Sequence, residues 1–252
     1  MQKEGGWVFI SHSHHDIEKV REIRNELEKN GFEPLMFFLK CLTDDDEVEA
    51  LIKREINERE WFIYADSENA RNSKWVQSER KYIHVLPDKK VYTVDLEKEI
   101  VPQVKEIVRQ LKVFVSYSKR DHPVADRIMK CLVKNDFLVL SDNDLTPGCD
   151  FVKAIDSMID QAAKEGFVLQ LISEASLRSH WVAKESQTTA FLNGKTVYIV
   201  LGDPDIDEQL KERIENSLNL KLSADPDEQE IEKIVQYIKR QMNYKNSSEI
   251  YR

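Results

Sequence analysis

The stretch WVFISHSHHD, residues 7–16, returns as KVFVSYSKRD at residues 112–121, an offset of 105. Both begin as a β-branched and aromatic run, and both empty into a turn of small hydroxyl and charged residues that closes on aspartate. NGFEPLMF at 30–37 is answered by NDFLVLSD at 135–142 with the same offset, and SENARNSKWVQSE at 67–79 by SEASLRSHWVAKE at 173–185 with an offset of 106. Solenoid repeats run at ~20 to 50 residues, so a period near 105 means two copies of a whole domain. The boundary is expected at Leu111, with domains at 1–111 and 112–243 and a polar, disordered tail at 244–252.

Inside the first copy, Val8, Phe9 and Ile10 read as a short buried strand. Asp16 then suits the cap of a helix with Ile17, Val20, Ile23 and Leu27 along one face, and Gly31 its stop. PLMFFL leads through KCLTDDDE to a helix striped by Val48, Leu51, Ile52 and Ile56. A strand at 61–65, a helix carrying Trp75 and Glu79, a strand at 90–96, and a helix with Val101, Val104, Val108 and Leu111 inward complete the copy. The second copy repeats the order, with strands at 113–117, 137–141, 167–172 and 196–201 and helices at 123–135, 150–164, 180–192 and 228–243. Strands that are apolar throughout and alternate with helices imply a parallel sheet covered on both faces, with ligands at the carboxyl ends of the strands. Ser11 to His15 and Ser116 to Lys119 fall at those ends.

With 252 residues, 41% of them hydrophobic and 33% charged, the chain supports two ordinary globular domains. A net charge of −9 with no dense basic run argues against binding nucleic-acid phosphates. The opening MQKEGG lacks the apolar core of a secretory signal and no apolar segment reaches ~18 residues, so no membrane partner and a cytoplasmic location are expected. Cys41, Cys131 and Cys149 are odd in number and show no CxxC spacing, which reads as reduced thiols.

The S-H-x-H-x-D of residues 11–16 resembles the first zinc cluster of metallo-β-lactamases, but the repeat weighs against it. Tyr117, Lys119 and Arg120 replace His12, His14 and His15, while Ser116, Ser118 and Asp121 return in register; Ile17 also stands where that site needs histidine. No metal is expected.

FISHSHHD, FVSYSKRD, LSDNDLTPGCDF and the twice-present S-x-x-x-x-x-S-x-W-V-x-x-E together resemble the Toll/interleukin receptor (TIR) domain, here in tandem. The resemblance implies two flavodoxin-like units, each a five-stranded parallel sheet with helices on both faces. Some members cleave NAD+ at the nicotinamide to ribose bond, and bacterial cytosolic relatives do so in antiviral defence. The resemblance then assigns the catalytic carboxylate to Glu79 and Glu185. It lines the substrate site with Ser11, His12, Ser13, His14 and Trp75 in the first copy, and with Ser116, Tyr117, Ser118, Lys119, Asp142, Phe151 and Trp181 in the second. NAD+ is then a substrate, no cofactor is needed, and the product is an ADP-ribose-type nucleotide, linear or cyclic, read by a downstream effector. Other members act as scaffolds through TIR to TIR contacts within or between chains, which is the alternative function. DNDLTPG at 142–148 resembles the family's loop after the second strand, whereas KCLTDDDE in the first copy has neither Pro nor Gly. The two copies are therefore expected to be chemically unequal.

Overall fold

The computed structural model describes residues 6–36, 45–86, 89–141, 166–178, 195–242 and 245–246. The chain forms two compact units that divide after Val108, with the stretch from Asn243 belonging to the first.

In the first unit the order is β1 (Trp7–Ser11), α1 (Ile17–Lys29), β2 (Glu33–Leu35), α2 (Asp45–Glu58), β3 (Trp61–Asp66), α3 (Glu68–Asn72), α4 (Lys74–His84), β4 (Lys90–Asp95) and α5 (Ile100–Leu111). β1 pairs in parallel with both β2 and β3, and β3 with β4. The topology reverses direction at β1, because the chain leaves to β2 on one side and returns to β3 on the other. Crevices for ligands form at such a reversal, outside the carboxyl ends of the strands. Ser11 is the last residue of β1.

Burial follows the expected stripes with one correction. Val20, Ile23 and Leu27 of α1 are buried, and the helix ends where Gly31 takes a φ of 86°, a conformation costly for a side chain with a Cβ. In α5 the inward stripe is Ile100, Val104, Ile107, Val108 and Leu111, while Val101 faces out. A 3.6-residue period fits the observed set, and the expected Val101 stood one position off the stripe. A three-residue β2 is all that the described residues show of PLMFFL, and residues 37–44 lie outside them.

The second unit runs β5 (Lys112–Ser116), α6 (His122–Lys134), β6 (Leu138–Leu140), β7 (Phe167–Ile172), α7 (Glu174–Leu177), β8 (Lys195–Leu201), α8 (Glu208–Glu215), β9 (Leu218–Leu222) and α9 (Glu228–Arg240). Its sheet, ordered β6-β5-β7-β8-β9, is parallel throughout and has the five expected strands. The fifth strand and the helix before it lie between 201 and 228, where the strand and helix pattern had supplied no element. The expected helices at 150–164 and 180–192 lie outside the described residues.

The first sheet departs from five parallel strands. Among the described residues it has four, and the fifth position is taken by β10 (Lys245–Asn246), which lies antiparallel on β4. Only residues 96–99 join β4 to α5, too short a link for the helix and strand that complete the other sheet. Lys245 and Asn246, expected in a disordered tail, are thus part of a sheet because that edge has backbone groups to satisfy.

Candidate active site

Sheet alternation and helix spacing place the central pair. Phe9 and Ser11 point to the same face of β1, and in register beside them stand Phe62 and Tyr64 of β3. That face carries the apolar cluster of Phe9, Phe62, Ile52 and Ile56 from α2, and Val76 and Ile83 from α4. On α4, Val76, Glu79 and Ile83 fall at spacings of three and four, hence on one stripe. Glu79 is therefore carried between two buried aliphatic side chains toward the end of β1, where the Ser11 hydroxyl donates to its Oε2 at 2.5 Å.

The two influences on this carboxyl oppose each other. Burial disfavours the charged form, while the Ser11 hydrogen bond favours it, and burial prevails: the pKa rises to about 7. A rise of that size corresponds to on the order of 3 kcal/mol between the protonation states.

Glu79 also opens outward. With Trp75, Ser78 and Tyr82 of α4 and Glu49, Ile52, Lys53 and Ile56 of α2, it lines a shallow cleft that is open to solvent. Trp75, 37% exposed, presents its ring one turn before Glu79 rather than packing in the core. A second small pocket is lined by Ser11, Tyr64, Arg80, Ile83 and Val91 among others. There the Arg80 guanidinium sits 4.3 Å over the Tyr64 ring and donates to its hydroxyl at 3.3 Å.

The remaining residues of the first turn divide by role. Ser13 is buried and its hydroxyl accepts from the His15 N–H at 3.3 Å, so it shapes the 3-10 turn of His14–Asp16. His12 is half-buried, its Nδ1 3.1 Å from the Ile10 carbonyl oxygen, and burial lowers its pKa. His14 is exposed, with its ring 3.7 Å from that of His15. The structure thus brings Ser11, Trp75 and Glu79 to one place, while Ser13 serves the turn and His14 faces solvent.

Asp16 does not cap α1. Its carboxylate instead accepts from the Ser67 hydroxyl at 2.5 Å and the Asn69 amide at 2.7 Å, tying the exit of β1 to the start of α3. The second unit repeats the tie: Asp121 leaves α6 uncapped and accepts from the Ser173 hydroxyl at 2.7 Å. Both aspartates sit in the turn after the first strand of their unit, where the hydroxyl of the serine that follows a neighbouring strand donates to them. The signal was present in the sequence, since Asp16 and Asp121, and Ser67 and Ser173, each recur at the repeat offset. Ser73 does cap α4, accepting from the Val76 N–H at 3.4 Å.

At the matching place in the second unit Ser116 is buried and stands in register with Gln170, where the first unit has Tyr64. Both polar atoms of the buried Gln170 amide lack a hydrogen-bond partner among the described residues. Tyr117 is half-buried, with its hydroxyl 3.2 Å from His122 Nδ1. Ser118 is buried and Lys119 exposed. Asp142, Phe151, Trp181 and Glu185 lie outside the described residues.

Two doubly wound sheets in tandem, the first with a part-buried serine and carboxylate pair beside the reversal of its strand order, define a repeated flavodoxin-like α/β protein. The chain belongs to the TIR domain family, whose model matches residues 8–111 and again 113–235. No curated protein matches the chain. TIR domains generally self-associate, and no helix among the described residues is long and apolar enough to cross a membrane.

Proposed function

We propose that the first TIR unit cleaves NAD+ at the bond between ribose C1′ and the nicotinamide nitrogen, with Glu79 as the catalytic carboxylate. The observation that carries this reading is the position of Glu79, held between Ser11 and Trp75 at the mouth of a cleft. Nicotinamide is a cationic leaving group, so no general acid is required. As the C1′–N bond breaks, its electron pair moves to the ring nitrogen, which becomes neutral, and positive charge develops on the ribose. A fixed carboxylate beside the sugar stabilises that oxocarbenium-like state, as glycosidase carboxylates do. Ribose hydroxyls can take over the acceptor that Ser11 uses in the free protein, and the Trp75 ring offers a flat face to a base. Water adds at C1′, releasing a proton to solvent and giving ADP-ribose; attack by a nitrogen of the same nucleotide gives a cyclic product instead. Glu185 is proposed for the same role in the second unit, on the repeated W-x-x-x-E alone. A nucleotide released in this way would act as a signal within immune defence, read by a separate effector in the cytoplasm.

Incubating the purified chain with NAD+ and following nicotinamide by chromatography tests the proposal. Release that is lost in Glu79→Gln supports it, release lost only in Glu185→Gln moves the chemistry to the second unit, and release insensitive to both refutes the assignment. A second reading, a TIR scaffold without catalysis, draws on the same contact, because Ser11 and Glu79 also join β1 to α4 as a strut would. It predicts no release from wild-type protein and a loss of assembly in Ser11→Ala.

A further inference from the structure

The cleft that Glu79 opens into has an order along its length. On α4, Trp75, Glu79 and Tyr82 follow at spacings of four and three, so they stand in one row with the carboxylate between two rings. At the helical rise the two ring residues are roughly 10 Å apart along the axis, the scale of a mononucleotide from base to phosphate. Tyr82 is fixed by its hydroxyl, which donates to the Asn57 side chain at 3.0 Å. Over its ring stands Lys53 of α2, with Nζ 5.5 Å from the centroid. The same Nζ donates to Glu49 Oε1, one turn earlier on α2, at 2.5 Å. Lys53 is the one cationic side chain among the described residues that line the cleft, where it faces two carboxyl groups, Glu49 and Glu79.

We infer that Lys53 is a specificity-determining residue that reads the 5′-phosphate of the substrate, so that the cleft selects phosphorylated pyridine nucleosides over free ones. The inference rests on the reading of Glu79 as the carboxylate beside the ribose. With the pyridine ring on Trp75 and the ribose at Glu79, the 5′-phosphate falls toward Tyr82, where the Lys53 ammonium meets it. In a chain of net charge −9, an anion entering beside two carboxyl groups is repelled unless a cation faces it. In the free protein Glu49 occupies that cation. Phosphate replaces Glu49 on Lys53 when the nucleotide enters, just as the ribose hydroxyls replace Ser11 on Glu79. The exchange costs little, because the side chains of Lys53 and Glu49 are 44% and 46% exposed and ion pairs so open to solvent are weak. The Tyr82 ring keeps the ammonium at the cleft through the exchange.

The test uses the full chain carrying Glu79→Gln and Glu185→Gln, which holds the substrate unreacted. Calorimetric titration compares nicotinamide mononucleotide with nicotinamide riboside, which lacks the phosphate. The mononucleotide is expected to bind about tenfold more tightly, the usual effect of one charge-assisted hydrogen bond. Adding Lys53→Met, which keeps an unbranched side chain and removes its charge, is expected to erase the difference. Lys53→Arg is expected to keep it, and Glu49→Gln to widen it. Equal binding of the two ligands, or none, overturns the inference, and so does a preference that survives Lys53→Met. Nicotinamide release by the unaltered chain is a separate readout. Its absence would refute catalysis by Glu79, whereas a preference lost in Lys53→Met would still assign the phosphate to Lys53.

Discussion

The hydroxyl of Ser11, at the end of β1, donates to the carboxylate of Glu79, in the middle of α4, across 2.5 Å. The contact makes the ionisation of Glu79 depend on two opposed influences, and each can be removed separately.

Replacing Glu79 with Gln keeps the shape and removes the charge that the proposed reaction needs. Nicotinamide release is expected to fall by about 10² to 10³, the usual effect of losing one preorganised electrostatic group. Steady-state kinetics on purified protein check this.

The pH profile follows from the raised pKa. Catalysis by the ionised form predicts that kcat/KM climbs with pH and levels off above a midpoint of about 7. Because the Ser11 hydrogen bond lowers the pKa against burial, Ser11→Ala is expected to move that midpoint further up. A midpoint that stays put in Ser11→Ala would refute the link between the two residues.

Stability should run the other way with pH. A carboxyl whose pKa is raised by folding favours the folded state fully below its unfolded value, and that contribution is lost as pH rises through about 7. Wild-type protein is therefore expected to lose on the order of 2 to 3 kcal/mol between pH 4.5 and pH 8 from this group, and Glu79→Gln to flatten that part of the profile. Urea unfolding at the two pH values measures the difference.

The Asp16 tie is expected to matter for folding of the first unit. Asp16→Ala strands the Ser67 hydroxyl and the Asn69 amide, at a cost of about 1 to 3 kcal/mol. Asp121→Ala removes the single tie to Ser173 and is expected to cost less, about 1 kcal/mol. Denaturant midpoints of the two variants give the order.

Trp75 is open to a test of binding. The residue is 37% exposed, so most of its surface is covered and Trp75→Ala is expected to cost on the order of 2 to 3 kcal/mol of stability. If the ring holds the nucleotide equally in ground and transition states, KM rises about tenfold while kcat is kept. A fall in kcat with KM unchanged would instead place Trp75 in the transition state.

Strand and helix order was legible because apolar runs and 3.6-residue stripes report burial directly, and the repeat fixed their phase. The misplacement of Val101 for Ile100 and Ile107 shows the limit: neighbouring aliphatic residues satisfy the same composition, and only packing selects the stripe. LNLKL at 218–222 alternates as a half-buried edge strand should, yet so short a run carries little signal without the parallel partner that β8 supplies.

Of the candidate site, the residue types and their spacing were in the sequence, and so was the serine and aspartate repeat whose meaning the fold reveals. The sequence by itself determined that there are two copies, the order of most strands and helices, and that the serine, tryptophan and glutamate pattern of the first copy recurs in the second, because periodicity and repetition are local properties of the chain. Tertiary structure alone decided that Glu79 meets Ser11 rather than water, that Asp16 reaches Ser67 rather than a helix amide, and that Lys245 and Asn246 complete the first sheet. Each of these pairs residues far apart in the chain, and the free energy that chooses between such partners comes from burial and from backbone groups left to satisfy, neither of which exists until the elements pack.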